Sequence, residues 1–456
     1  MSFIRILFAS ASAMTMAACA TVGPDYVEPS SDSFTKNALQ NDPAIIAEER
    51  EPARNWWTAL DDEMLNSLVE RAFSENRDLR QAAANVEAAR ALLRVERTNL
   101  RPTGEANADY RRRRLSGSQF GADDLTFDDS DFFDVGLNAS WELDFFGRVR
   151  RASEAALANA QGAEYLRRDA EALVAAETAR AYIDYRSAEV RLDVARRNLE
   201  IQRETRALTQ TRFEEGLGSR LDVARAEAQA KSTEASLPPL EAAATAAANR
   251  IATLTGTPVS DVLTLLHSDK PALPAPPAAI LVGDAESLIR RRADVRAAER
   301  SLAAATARIG VAKADFFPRI TLIGAVSASA QTLSGVGGDG SLGYGVGPSL
   351  SWSGFDIPRV KAGVKAADAR ADAAFAAYEQ TVLTALEETQ TALVDYGRER
   401  VRFGALDEAA VNARQAAELA RERYDEGADD FIDVLDAESR LLAAEASLAE
   451  SQSSVA

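Results

Sequence analysis

Few side chains in this 456-residue chain could do covalent chemistry, and only one is singled out by its surroundings. Cys19, the sole cysteine, follows Arg5, a mostly apolar run from Ile6 to Met16, and the small pair Ala17-Ala18. That order is the pattern of a secretory signal peptide over 1–18. A thiol directly after Met16-Ala17-Ala18 sits where a lipobox places it, so Cys19 is expected to be the acylated first residue of the mature chain. The alternative is an incidental cysteine beside a cleavage site. Ala20, rather than Asp, would favour sorting to the outer membrane. With no second cysteine, no disulfide framework supports the fold despite export. One histidine, His267, and four methionines leave little for a transition-metal site, and no cofactor is expected. His267 stands isolated and is read as structural or solvent-facing. No nucleophile–base pair and no phosphate loop stands out, so no enzymatic activity is expected. The net charge of −18 argues against nucleic acid or anionic lipid as a partner. The basic run Arg111 to Arg114 is then read as a strand end, or a rim contacting lipid headgroups.

The elements that carry these residues are written twice. Trp141 recurs as Trp352, Arg148 as Arg359, Tyr185 as Tyr396, and Arg212-Phe213-Glu214-Glu215-Gly216 as Arg423-Tyr424-Asp425-Glu426-Gly427, all at an offset of 211 (Trp141 to Trp352). Upstream the offset is 216, pairing Asp78 with Asp294 and Pro102 with Pro318. The five-residue change falls between Pro102 and Trp141, where a loop would absorb it. A repeat this long is no solenoid unit; it predicts two homologous halves in one body. The halves are 61–256 and 284–456, preceded by a Pro-, Ser- and acid-rich extended arm over 19–60 and joined by a Pro-rich linker over 257–283.

Within the first half, Asp61 is expected to cap a helix reaching about Asn99, ended by Pro102. Strands are predicted at about 103–114 and 132–145, and in the second half at about 318–331 and 343–354. Val135, Leu137, Ala139, Trp141 and Leu143 alternate with Gly136, Asn138, Ser140, Glu142 and Asp144. Tyr344, Val346, Pro348, Leu350 and Trp352 keep the same parity, as do Ile320, Leu322, Gly324, Val326 and Ala328 more weakly. Such alternation fits a half-buried antiparallel hairpin of a soluble domain and equally a transmembrane β-strand.

The helices decide between them. Arg148 to Glu215 and Arg359 to Glu426 hold no proline and few glycines, enough for about 100 Å each at about 1.5 Å per residue. Apolar residues step by seven (Val194, Ile201, Leu208; Val394, Val401), the mark of a coiled-coil seam. Each helix stops at a glycine and a second returns, giving hairpins over 147–256 and 357–456; Pro238-Pro239 should kink or interrupt the first return. No apolar stretch after the signal is long enough for a membrane-spanning helix. Four strands cannot close a barrel alone, and open edges are not tolerated in lipid. Closure must come from further copies, with the helices packed around the same axis.

At this point the chain resembles the TolC-like outer membrane factors, and within them the NodT/OprM-type lipoproteins that serve resistance-nodulation-division pumps. The resemblance is carried by Gly23-Pro24-Asp25-Tyr26, Trp56-Trp57, Arg290-Arg291-Arg292, Arg296 to Arg300, Ala303 to Ala312, Phe317-Pro318-Arg319-Ile320, Leu237 to Glu241, Gly216 to Asp222 and Tyr424 to Asp436. It implies a mainly α chain with a transmembrane β part, four strands per protomer completing a twelve-stranded trimeric barrel, and a helical coiled-coil tunnel. It further implies a passive efflux duct, with a periplasmic adaptor and an inner-membrane pump as partners and outer membrane lipid around it. A type I secretion duct and a non-conducting coiled-coil lipoprotein are the alternatives. Two departures stand out: Ala293 replaces a common proline, and the chain ends at Ala456, whose repeat twin is Thr245, so the last helix is shorter than its counterpart by about three turns.

The same resemblance assigns the periplasmic gate to Asp433 and Asp436, whose three copies would form a ring that attracts cations and raises its own pKa values. Capping and the helix dipole give the alternative reading of aspartates early in a helix. Asp429, Asp222 and Arg225 lie nearby, with Arg225 the twin of Asp436 and Arg220 that of Phe431. Closure is expected to use Ile432 and Phe431, with Arg220 or Arg225 as cationic partners. Gly216-Leu217 and Gly427-Ala428 match the turns where adaptor tips dock, and Trp141 and Trp352 are expected at the membrane interface.

Overall fold

The computed structural model describes residues 21–30, 47–48, 55–116, 126–267, 272–276, 280–281 and 284–456. Cys19 and the signal segment lie outside the described residues. The chain packs as two compact units, one of Met1–Pro29, Ala84–Tyr165 and Asp294–Thr381, the other of Ser30–Ala83, Leu166–Ala293 and Val382–Ala456.

The first unit is built on a sheet. A two-residue pairing of β1 (Ala47–Glu48) with β4 (Ile280–Leu281) belongs to the other unit. The main sheet comprises β2 (Thr103–Arg113), β3 (Ser130–Glu142), β5 (Arg319–Ala330) and β6 (Leu342–Ser351), antiparallel throughout in the order β2-β3-β5-β6. The register puts Ala106, Leu137 and Val326 side by side, and continues through Val326 opposite Tyr344 and Gly324 opposite Val346. Facing residues in a ladder share a face, so the apolar alternation of all four strands falls on one side. Asn107, Asn138, Ser140, Thr321, Ser327 and Ser349 fall on the other. The apolar side is not covered within the chain: Leu137 is 64% exposed, Val346 76% and Tyr344 85%. The two hairpin loops span 114–129 and 331–341, sixteen residues against eleven, which absorbs the change of repeat offset.

The helices are α1 (Glu63–Glu75), α2 (Arg77–Thr98), α3 (Arg148–Glu214), α4 (Arg220–Thr255), α5 (Val259–Leu266), α6 (Ala285–Arg291), α7 (Ala293–Ala314), α8 (Ile357–Asp425) and α9 (Phe431–Val455). No described helix is long and apolar enough to cross a membrane. α3 and α8 run 67 and 69 residues without interruption. Pro358 of α8 falls in its first turn, where a missing N–H breaks no helical bond. The second unit's main core gathers Leu65, Leu68 and Val69 of α1, Tyr182 and Tyr185 of α3, Ile251 and Leu254 of α4, and Val262 and Leu266 of α5. Burial pushes the Tyr182 phenol up to about 12; its hydroxyl donates to Asp62 over 2.9 Å.

Three expectations need correction. Asp62, not Asp61, caps α1, its carboxylate accepting from Leu65 N at 2.8 Å, while Asp61 closes a 3-10 turn in the left-handed region. The helix expected to reach Asn99 breaks at Asn76, whose side chain accepts from Asp78 N and Leu79 N and so restarts it as α2. Of the kink or interruption expected at Pro238-Pro239, the interruption does not occur: α4 runs helical through both prolines. The linker carries a helix, α5, two of whose apolar residues, Val262 and Leu266, are buried in the core.

Candidate functional site

The two hairpin tips are built alike. Gly216 and Gly427 both sit at φ +77°, a conformation that favours glycine. Leu217 N donates to Arg212 O at 2.7 Å and Gly216 N to Phe213 O at 3.0 Å; Ala428 N donates to Arg423 O at 2.8 Å and Gly427 N to Tyr424 O at 3.0 Å. Both are Schellman caps, which satisfy the last carbonyls of α3 and α8. The residues after each glycine, Leu217 and Ala428, are exposed.

The return helices differ at their starts. At α4, Ser219 and Asp222 form a capping box, Asp222 N donating to Ser219 Oγ at 3.2 Å and Ser219 N donating to the Asp222 carboxylate at 3.3 Å, with Ser219 Oγ also 2.6 Å from that carboxylate. Arg225 approaches the same carboxylate at 3.8 Å, so Asp222 and Arg225 serve each other and the cap. At α9 the twin of Ser219 is Asp430, which makes no side-chain cap bond. The box of α4 is therefore not repeated at α9. Asp433 lies exposed in the first turn, and Asp436 is exposed with Arg440 one turn on at 2.9 Å. Asp429 is held by a bidentate pair from Arg423 (2.5 and 2.8 Å), which keeps its carboxyl below the usual aspartate range.

Ile432 is 46% exposed, but Phe431 is buried against Tyr424 (ring centroids 5.7 Å apart), Val434 and Ala226. Phe431 therefore belongs to the protomer's own packing, not to a free closing surface. Arg212 joins the two hairpins, donating to Tyr424 O at 2.7 Å with its guanidinium 4.5 Å from the Tyr424 ring.

A ladder missed from sequence lies behind the tip. Glu438 of α9 is buried and accepts from Thr205 of α3 (2.7 Å) and Arg421 of α8 (2.8 Å). Seven residues on, Glu445 accepts from Asn198 of α3 (3.0 Å) and Arg414 of α8 (2.6 Å). The common seven-residue spacing along three helices was the available signal. Burial pushes the Glu438 carboxyl above its ordinary 4.5, against the Thr205 and Arg421 bonds. A raised folded pKa means that its stabilising contribution is complete below about 4.5 and is lost as pH rises through the folded value. Glu438→Gln, which keeps an acceptor for both partners, should remove that dependence. The wild-type thermal midpoint should fall relative to the variant's as pH rises through that window; a pH-independent difference would contradict it.

In the first unit, residues 21–28 are strapped to the sheet end and neighbouring helices. Val22 N donates to Phe146 O at 3.1 Å, and the Tyr26 hydroxyl to Glu299, which is 1% exposed, at 2.5 Å. Buried Arg151 donates to Val22 O (3.3 Å), Gly23 O (3.4 Å) and Asp25 (2.6 Å). Gly23, at φ +101°, packs so closely that a Cβ there would lie 2.4 Å from Gly310 Cα. The two tryptophans follow the repeat: Trp141 Nε1 donates to Leu100 O and Trp352 Nε1 to Phe316 O, each at 3.1 Å. Within the basic run, Arg111 pairs with Asp134 (3.1 Å), Arg112 and Arg114 with Asp129 (3.4 and 2.8 Å), and Arg113 covers the Phe132 ring.

The family described as outer membrane efflux protein matches residues 68–257 and 285–456. The chain is 33% identical to nodulation protein T of Rhizobium leguminosarum bv. viciae over 94% of its own length and 86% of that protein's. It is also 33% identical to outer membrane protein OprJ of Pseudomonas aeruginosa, over 93% and 88%. Among solved structures it resembles the outer-membrane channel OprN (40% identity, TM-score 0.86, 96% of each chain) and the open state of the Neisseria gonorrhoeae MtrE outer membrane channel (31%, 0.79, 96% and 95%). The duplicated strand hairpins, the duplicated helical hairpins and matches across nearly the whole length place this chain in the outer membrane efflux protein family.

Proposed function

We infer that three copies of this chain form a passive outer membrane duct, closing a twelve-stranded β-barrel and assembling their helical hairpins into a tunnel. An inner-membrane pump of the resistance-nodulation-division type and a periplasmic adaptor feed it, and drugs or other small molecules are its cargo. The observation that carries the reading is the apolar face of the β2-β3-β5-β6 sheet, exposed in register on all four strands while β2 and β6 are left as open edges. A sheet with that face suits lipid, and lipid demands that its edges be paired. Cys19, once acylated, anchors the arm at the membrane, and Trp141 and Trp352 lie at its interface.

The tips supply the gate. Asp433 and Asp436 from three copies make an acidic ring, with Ile432 beside it and Asp429, Asp222 and Arg225 setting the surrounding field. Gly216-Leu217 and Gly427-Ala428 offer the turns on which the adaptor docks. Asp433→Asn with Asp436→Asn should raise single-channel conductance in planar bilayers and lower cation preference. Unchanged conductance and unchanged selectivity together would remove the ring from the gate.

A further inference from the structure

The two halves of the repeat disagree along one buried strip. On α3, Asn198, Thr205 and Arg212 stand seven residues apart, about two helical turns, and each crosses to the second hairpin of its own chain. Asn198 donates to Glu445 at 3.0 Å, Thr205 to Glu438 at 2.7 Å and Arg212 to Tyr424 O at 2.7 Å. Asn198, Gln202, Thr205 and Thr209 are all buried there. The offset of 211 carries these four residues to Ala409, Ala413, Ala416 and Ala420 of α8. Four polar side chains thus have four alanines as twins, and Ala409 and Ala416 lie exposed in the chain.

The partners change in the same sense. Glu438 and Glu445 are the twins of Glu227 and Glu234 of α4, which pair inside their own hairpin with Arg206 (2.9 Å) and Arg203 (3.5 Å). Arg423, the twin of Arg212, is occupied by Asp429 at 2.5 and 2.8 Å. The twin of Asp429 is Gly218, which leaves Arg212 to reach Tyr424. All three ties across α3 therefore lack a counterpart in the second half.

In a tunnel of three copies, the reading on which this inference rests, the contact of α3 with α9 recurs as a contact of α8 with α4 of the partner subunit. There the strip presents alanine where α3 presents Asn198 and Thr205. We propose that the two hairpins of each chain move as one body when the tip opens, and that the alanine-lined seam between copies is the one that parts. Parting the hairpins within a chain breaks three hydrogen bonds, two of them to carboxylates, and bonds to an ionised group are the strong ones. Alanine offers no side-chain donor, so the seam between copies closes by packing and opens without stripping a buried carboxylate of its partner.

Single-channel recordings of the full-length protein in planar bilayers separate the two seams. Ala409→Asn/Ala416→Thr offers the partner's Glu234 and the partner's Glu227 the donors that Glu445 and Glu438 have. It should lower open probability at least about tenfold, the effect of one charged hydrogen bond per opening. Ala416→Ser adds one oxygen per copy and should act in the same direction, which keeps the test open where the larger pair hinders assembly. Asn198→Ala/Thr205→Ala removes two in-chain ties and should lower the thermal midpoint while leaving open probability unchanged. The packing of Tyr424, Phe431 and Val434 against Leu208 and Ala226 still joins the hairpins in that variant. A rise in open probability on losing the in-chain ties overturns the proposal, and so does an unchanged one in both α8 variants. Wild-type protein that native mass spectrometry finds only as a monomer overturns the assembly itself, and this proposal with it.

Discussion

Arginine in place of Leu137 or Val346 should prevent the protein from accumulating as an assembled species in the outer membrane. Leu137 lies mid-strand on β3 between Ala106 and Val326, and Val346 mid-strand on β6 beside Gly324. Both point to the exposed apolar side. Arginine near the middle of a lipid-facing strand costs about 2–4 kcal/mol, and an assembly of three copies carries that cost three times. Folded, heat-modifiable oligomer recovered from outer membranes should drop at least about tenfold, since about 1.4 kcal/mol is already a factor of ten. Asn138→Arg on β3 and Ser327→Arg on β5, both on the opposite face, should assemble normally because that side is polar and wet. Equal loss in both sets would show that the two faces do not meet different solvents.

The second large effect is expected at the N-terminal strap. Arg151→Ala removes a guanidinium with only 4% of its side chain exposed, which donates to two backbone carbonyls and Asp25 and pairs with Glu154 at 2.8 Å. Asp25 and Glu154 can rehydrate, so the loss is that of the charged hydrogen bonds to Val22 O and Gly23 O, each worth about 1.5–3 kcal/mol. Gly23→Ala attacks the same contact from the other partner: its Cβ would fall 2.4 Å from Gly310 Cα, at a φ that L-residues rarely adopt. Strain and overpacking each cost about 1–3 kcal/mol. Either variant should speed amide hydrogen exchange over residues 22–28 and lower the thermal midpoint. Unchanged exchange in both variants would mean that the strap is not held by these contacts.

Much of this was legible in the chain, and the reasons are local. Period-two alternation at Val135 to Trp141 and Tyr344 to Trp352 located the strands, running three residues too far at their C-terminal ends, and its parity matches the observed register, because a strand's face depends only on parity. The duplication located the hairpins and the loop that absorbs the change of offset. What was not legible depended on three-body packing. Phe431 is buried because Tyr424 and Ala226 come from two other helices. Glu438 and Glu445 acquire their partners only when α3 brings Thr205 and Asn198 against α9. The break at Asn76 was hidden because its side chain also donates to Leu254 O at 3.0 Å, a contact 178 residues away in sequence. At the tip, Ser219 against Asp430 is a single change between the two halves. It removes a capping box and leaves Asp433 to other uses.

In the assembled barrel these strands are expected to separate lipid from an aqueous bore. Spin labels placed one at a time from 134 to 141 on β3, in protein reconstituted into bilayers, test it directly through collision with oxygen and with a water-soluble nickel chelate. Lipid-facing sites 135, 137, 139 and 141 should favour oxygen, and sites 134, 136, 138 and 140 the nickel complex, giving two oscillations of period two that are out of phase. Low access to both reagents at the apolar sites would place that face in a protein core and contradict the account.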